Sequence, residues 1–108
     1  MAKLESRFQT DVIKEIKERL PGCIVLKNDS GYIQGFPDLT ILYKKRWGIL
    51  ETKREEDAKH RPNQDYYVDK LDKMSFSRFI YPENREEVLN ELEQALKPGR
   101  KSRLSKCE

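Results

Sequence analysis

The stretch GFPDLTILYKKRWGILETK (residues 35–53) puts charge where a core strand has no use for it. Asp38 opens one apolar run, and Glu51 and Lys53 close the next. Strand side chains alternate, so Trp47, Ile49, Glu51 and Lys53 line one side of the second run, and Gly48, Leu50 and Thr52 the other. Asp38 shares a face with Thr40 and Leu42. An antiparallel hairpin brings the start of the first run beside the end of the second, which places Asp38 next to Glu51. Two carboxylates that close repel unless something positive lies between them. A divalent cation meets that need, and hard oxygen ligands select Mg²⁺, with Mn²⁺ able to substitute. Lys53 adds a compact positive charge at the same point. The plainer alternative is a structural salt bridge at the strand ends.

Several elements must position these groups. Residues 4–20 read as an amphipathic helix, with Leu4, Phe8, Val12, Ile16 and Leu20 repeating every four residues and Pro21-Gly22 stopping it. Glu5 falls near the middle of that apolar stripe and Gln9 beside it. Residues 23–27 form a β-branched strand, followed by a turn-rich loop. Two strands, 38–44 and 47–53, are joined by a basic turn. They are apolar on both faces over part of their length, so this hairpin is central and covered by helices. After a polar loop, residues 62–74 form a second helix with Pro62 in its first turn. Gln64, Tyr67, Val68 and Leu71 follow helical spacing, so Gln64 takes a core-facing position. Residues 76–82 are a fourth strand. Residues 84–97 are a third helix, in which Asn84 and Glu87 have capping-box spacing. The order is α-β-β-β-α-β-α, an α/β domain with a mixed central sheet flanked by helices. Two helices and two strands each aim a polar group inward, which points to one shared site.

The chain of 108 residues suits one compact domain, here 1–96, with a basic, unpatterned tail over 97–108 that is expected to be disordered. Charged residues make up 38% and hydrophobic ones 36%, so the core must be small. The net charge of +3 permits a polyanion partner without demanding one. Cys23 and Cys107 are too isolated for a disulfide framework or a thiolate metal site. The start MAKLESRF has no apolar signal core, and no run approaches the roughly 20 apolar residues of a membrane span. A cytoplasmic location, or the host cytoplasm for a viral protein, is the expectation.

These residues resemble the PD-(D/E)XK nuclease superfamily, with Pro37-Asp38 and Glu51-Thr52-Lys53 as the two motif halves. Gly35 to Asp38 and the later Gln64 resemble its VRR-NUC branch, the virus-type replication-repair nuclease module. The likeness covers roughly residues 4–96. It departs at Phe36, where a smaller aliphatic residue is usual, and at Thr52, which replaces an aliphatic one. The resemblance implies a restriction-endonuclease-like αβββαβ core and a Mg²⁺-dependent DNA endonuclease. Asp38, Glu51 and the Thr52 carbonyl would hold metal, and Glu5 would hold a metal-held water or a second ion. Lys53 would stabilise the transition state, and Gln64 would orient Lys53, a water or the phosphate. It further implies structure-selective action on branched or junction DNA by a homodimer similar to Holliday-junction resolvases, with no nucleotide cofactor and no membrane.

The competing class is a catalytically silent DNA-binding or partner-docking protein that keeps the nuclease fold. Intact Asp38, Glu51 and Lys53 weigh against it, because a retired site has no reason to keep buried charge. Lys27, Tyr32 and Gln34 are candidate DNA contacts, although a solvated strand end and loop explain them more simply. His60, the only histidine, reads as an exposed loop residue, and no His-based metal site or triad is expected.

Overall fold

The computed structural model describes residues 2–29 and 31–97, with side chains from Ser6 onward. The elements run α1 (Ala2–Arg19), β1 (Ile24–Lys27), β2 (Leu39–Tyr43), β3 (Arg46–Thr52), α2 (Gln64–Met74), β4 (Ser77–Ile80) and α3 (Arg85–Leu96), with a short 3₁₀ turn at Pro82–Asn84. The protein is α/β. One four-stranded mixed sheet, ordered β1-β2-β3-β4, carries three helices. β1–β2 and β2–β3 are antiparallel, and β3–β4 is parallel, as a crossover through α2 requires. No helix among the described residues is long and apolar enough to cross a membrane.

One face of the sheet holds the main core. Phe8, Val12 and Ile16 of α1, Leu20 just after it, and Val88, Leu89, Leu92 and Leu96 of α3 pack on Leu39, Ile41, Tyr43 and Leu50. Each such side chain contributes about 1.5–3 kcal/mol when fully buried. At Gly48 an added Cβ would lie 2.8 Å from a Leu92 methyl, so α3 sits directly on the β3 backbone. Charge also ties the two helices together. Arg85 Nε and Nη2 donate to Glu15 Oε1 at 3.0 and 2.7 Å, and Arg19 Nε donates to Glu15 Oε2 at 2.9 Å. Burial pushes the Glu15 carboxyl up, but the Arg85 and Arg19 guanidiniums outweigh it and hold the group below its ordinary range.

The other face is covered only in part. α2 has 11 residues, about 16 Å of helix, and lies over β3 and β4, where Val68 and Leu71 are buried with Ile49. The rest of that face, carrying Ile24, Leu26 and Leu42, stays exposed, so the helices do not cover the hairpin throughout. Two local readings also shift. The α2 helix starts at Gln64, after Asn63 in the left-handed region (φ 72°), so Pro62 precedes it. Asn84 makes no side-chain cap to α3. It turns back instead, accepting from Tyr81 N at 2.9 Å and donating to the Phe79 carbonyl at 3.1 Å.

Candidate active site

The β2–β3 register runs from Tyr43↔Arg46 to Leu39↔Leu50. Continued by one residue it sets Asp38 opposite Glu51, and by two it sets Pro37 opposite Thr52. The Thr52 N–H points to the β2 side, but Asp38 Oδ1 takes it at 3.1 Å in place of a strand carbonyl. Pro37 has turned its own carbonyl to Asn28 Nδ2, at 2.9 Å. In an antiparallel ladder N–H and C=O of one residue point the same way, and Pro37 has no N–H to offer the Thr52 carbonyl. The ladder ends there for a covalent reason.

Asp38 Oδ2 accepts from the Thr52 hydroxyl at 2.7 Å and from Gln9 Nε2 at 3.1 Å. Gln9 also donates to Thr52 Oγ1 at 3.3 Å. Alternation alone puts Asp38 with Thr40, on the α2 face. Because the strand has ended, its carboxylate curls over the hairpin end to Thr52 and α1. The Asp38 carbonyl still accepts from Asn28 N at 2.8 Å, which keeps the backbone in the sheet.

Glu51, Lys53 and Gln64 are 5%, 6% and 7% exposed, a burial that charged groups tolerate only with partners. Gln64 links the other two. Lys53 Nζ donates to its Oε1 at 2.7 Å, and its Nε2 donates to Glu51 Oε2 at 2.9 Å. Lys53 Nζ lies 3.9 Å from Glu51 Oε2, so a neutral amide separates the charges. The loop before α2 completes the arrangement. Arg61 N donates to Gln64 Oε1 at 2.8 Å, and the Lys59 carbonyl accepts from Lys53 Nζ at 3.2 Å. Gln64 thus makes both a first-turn hydrogen bond and the site contacts.

Gly35 fixes how this loop meets the other wall. Its φ is 86°, and a Cβ there would lie 2.5 Å from the Pro62 carbonyl oxygen and 2.6 Å from Asn63 Cβ. The 31–37 loop therefore packs backbone to backbone against the turn that starts α2, and Phe36 tilts on Tyr67 at 5.6 Å. Between the two loops lies a cleft of about 860 Å³, bordered by Asp38, Glu51, Lys53 and Gln64 among others. It opens beyond the carboxyl end of β3, between an antiparallel and a parallel neighbour.

Of the other residues singled out from the sequence, Gln34 borders the cleft, while Tyr32 is 87% exposed and Lys27 ends β1 in solvent. The Glu5 side chain lies outside the described residues, as do Cys107 and residues 98–108 of the tail. His60 does more than sit in a loop. Its ring stacks on Phe79 at 4.2 Å, its Nδ1 is 2.7 Å from Asp65 Oδ1, and it borders the cleft. The role of Asn28 and the loop cations Arg54, Lys59 and Arg61 carried no signal in the periodicity.

Among the described residues, no three His, Cys, Asp or Glu side chains gather to hold a metal ion. The donors that border the cleft are the two carboxylates of Asp38 and Glu51, while Thr52 is fully buried and does not border it. The two carboxylates fit Mg²⁺, which takes one or two carboxylates and fills its octahedron with water and phosphate oxygens. No protein-family model, curated protein or solved structure matches this chain.

Proposed function

We propose that this chain is a Mg²⁺-dependent DNA endonuclease of the PD-(D/E)XK type, on a core of α1, β1, β2, β3, α2 and β4, similar to the VRR-NUC branch. The observation that carries the reading is the buried Glu51–Gln64–Lys53 chain, which opens with Asp38 on one cleft. A pair kept for stability alone is a poor explanation of it. Desolvation costs several kcal/mol per ion, and only close contact offsets it. Here the charges stand 3.9 Å apart around an amide and face an open cleft.

Asp38, Glu51 and the Thr52 carbonyl would hold the ion. When bound, it would neutralise the scissile phosphate and supply a nucleophile at neutral pH. Gln9 and Thr52 orient the Asp38 carboxylate through three hydrogen bonds. Gln64 and the Lys59 carbonyl take two of the three Lys53 donors. The third serves Glu51 or an incoming phosphate oxygen, where an ammonium stabilises the charge that develops in the transition state. Gln64 and Arg61 N hold this alignment before substrate arrives. One cleft reaches one phosphate, so paired cuts in a junction call for a second copy with two-fold symmetry.

The test is nicking of supercoiled plasmid and cutting of junction, flap and linear DNA, with Mg²⁺ or with EDTA. Cleavage that needs the metal, and that Lys53→Ala abolishes while DNA binding survives, is expected. Cleavage in EDTA, or by Asp38→Ala, overturns the mechanism. Binding without cleavage under every metal condition leaves the silent binding protein as the correct reading.

A further inference from the structure

Residues 98–108 contribute four of the 22 Lys and Arg and one of the 19 Asp and Glu, which leaves 18 of each in the rest of the chain. That body is formally neutral, yet the cleft is not. Its border carries Lys53, Arg54, Lys59 and Arg61 against the carboxylates of Asp38 and Glu51. The loop that supplies three of these cations also holds Glu55, Glu56 and Asp57, but all three acids are exposed and none borders the cleft. Only Glu55 comes near a member of the set, with Oε2 4.0 Å from Arg54 Nε. Lys59 and Arg61 are exposed too, but the loop is sorted by sign in one respect: its cations border the cleft and its acids do not.

We infer that Arg54, Lys59 and Arg61 are the grip on the phosphodiester backbone of the substrate. The choice of DNA as the polyanion rests on the nuclease reading; the grip itself rests on the sorted charge. A concave wall of one sign concentrates an anionic chain along it. The backbone of the same loop holds the reacting groups, through the Lys59 carbonyl on Lys53 and the Arg61 N–H on Gln64. His60, stacked on Phe79 and 2.7 Å from Asp65, anchors the segment between them. Phosphates bound by this loop are therefore registered against Lys53 by the intervening peptide groups.

The experiment measures binding of the full chain to a short fluorescein-labelled duplex, in EDTA, over a range of salt. The variants are Lys59→Gln with Arg61→Gln, the same pair with Arg54→Gln, and a control of Lys14→Gln, Lys17→Gln and Lys45→Gln, all exposed and outside the cleft. Each phosphate contact contributes about 0.9 to the slope of log K against log salt. The double and triple variants are expected to lose about 2 and about 3 from that slope. The control is expected to keep it, and circular dichroism verifies folding throughout. An unchanged slope in the triple variant overturns the grip, as does an equal loss in the control, which would mark diffuse surface charge. Cleavage in Mg²⁺ is scored separately: slope loss without any cleavage by the wild type supports the grip and sinks the nuclease reading.

Discussion

Replacing Gln64 by leucine removes three hydrogen bonds from a buried site with little change of volume. Two of them join charged groups, Lys53 Nζ at 2.7 Å and Glu51 Oε2 at 2.9 Å, and the third satisfies the Arg61 N–H at 2.8 Å. Bonds to charged groups contribute about 1.5–3 kcal/mol each and a neutral one about 1 kcal/mol. Lys53 and Glu51 recover part of the loss by closing their 3.9 Å gap. A net destabilisation of about 3 kcal/mol is expected, which at a slope of about 1.5 kcal/mol/M moves the urea midpoint down by about 2 M. Gln64→Glu keeps the acceptor for Lys53 and Arg61 but loses the donor to Glu51. It sets a second carboxylate beside the first, so its deficit should shrink as pH falls and one carboxyl takes a proton. Equilibrium urea unfolding of the three proteins at pH 7, and of Gln64→Glu at lower pH, measures both effects. A leucine variant that unfolds at the wild-type midpoint would refute the claim that Gln64 separates and satisfies two buried charges.

Gly35→Ala combines a left-handed φ with an overlap at 2.5 Å. It should cost more than about 2 kcal/mol in thermal unfolding. Gly35→Asn tolerates that φ yet should fare no better, because the overlap is with Cβ; recovery by asparagine would show that φ alone sets the requirement. Arg85 and Arg19 hold the Glu15 carboxyl below its ordinary pKa of 4.5. Its contribution is therefore present above that pH and is lost as pH falls through the lowered folded value. Glu15→Gln should accordingly be less stable than the wild type at neutral pH and converge with it on acidification. A stability gap that stays constant with pH would remove the α1–α3 charge tie from the account.

The helices and strands could be read along the chain because their apolar spacing was regular. Phe8, Val12, Ile16 and Leu20 repeat every four residues and all are buried. The hairpin was legible from two runs and a basic turn, and its register, which pairs Leu39 with Leu50, sets positions 38 and 51 opposite each other if continued by one residue. The inward place of Gln64 followed from its spacing to Val68 and Leu71. Less was legible where the backbone leaves regular geometry. Alternation assigns Asp38 to the face of Thr40, and only the ladder's end at Pro37 lets it reach Thr52 and Gln9. The loop cations were hidden for a different reason. Arg54, Lys59 and Arg61 flank a run of three acids, Glu55 to Asp57, and which of them border the cleft is decided only once the loop has folded. Likewise His60 has no neighbours in sequence that announce Phe79, 19 positions on, as its stacking partner.

Pro37 has a consequence for how permanent the opening is. A hairpin whose mouth is kept apart by motion can zip shut, and then its binding groups compete with its own pairing. Here closure is denied chemically, since an imino acid stands where the next amide hydrogen would be. The Thr52 oxygen gains no partner from Pro37, although Thr52 itself is fully buried and does not border the cleft, so what the proline keeps open is the end of the ladder. A residue with an N–H at position 37 would remove that block, and the hairpin could then compete to add a rung at the place where Asp38 now takes the Thr52 N–H.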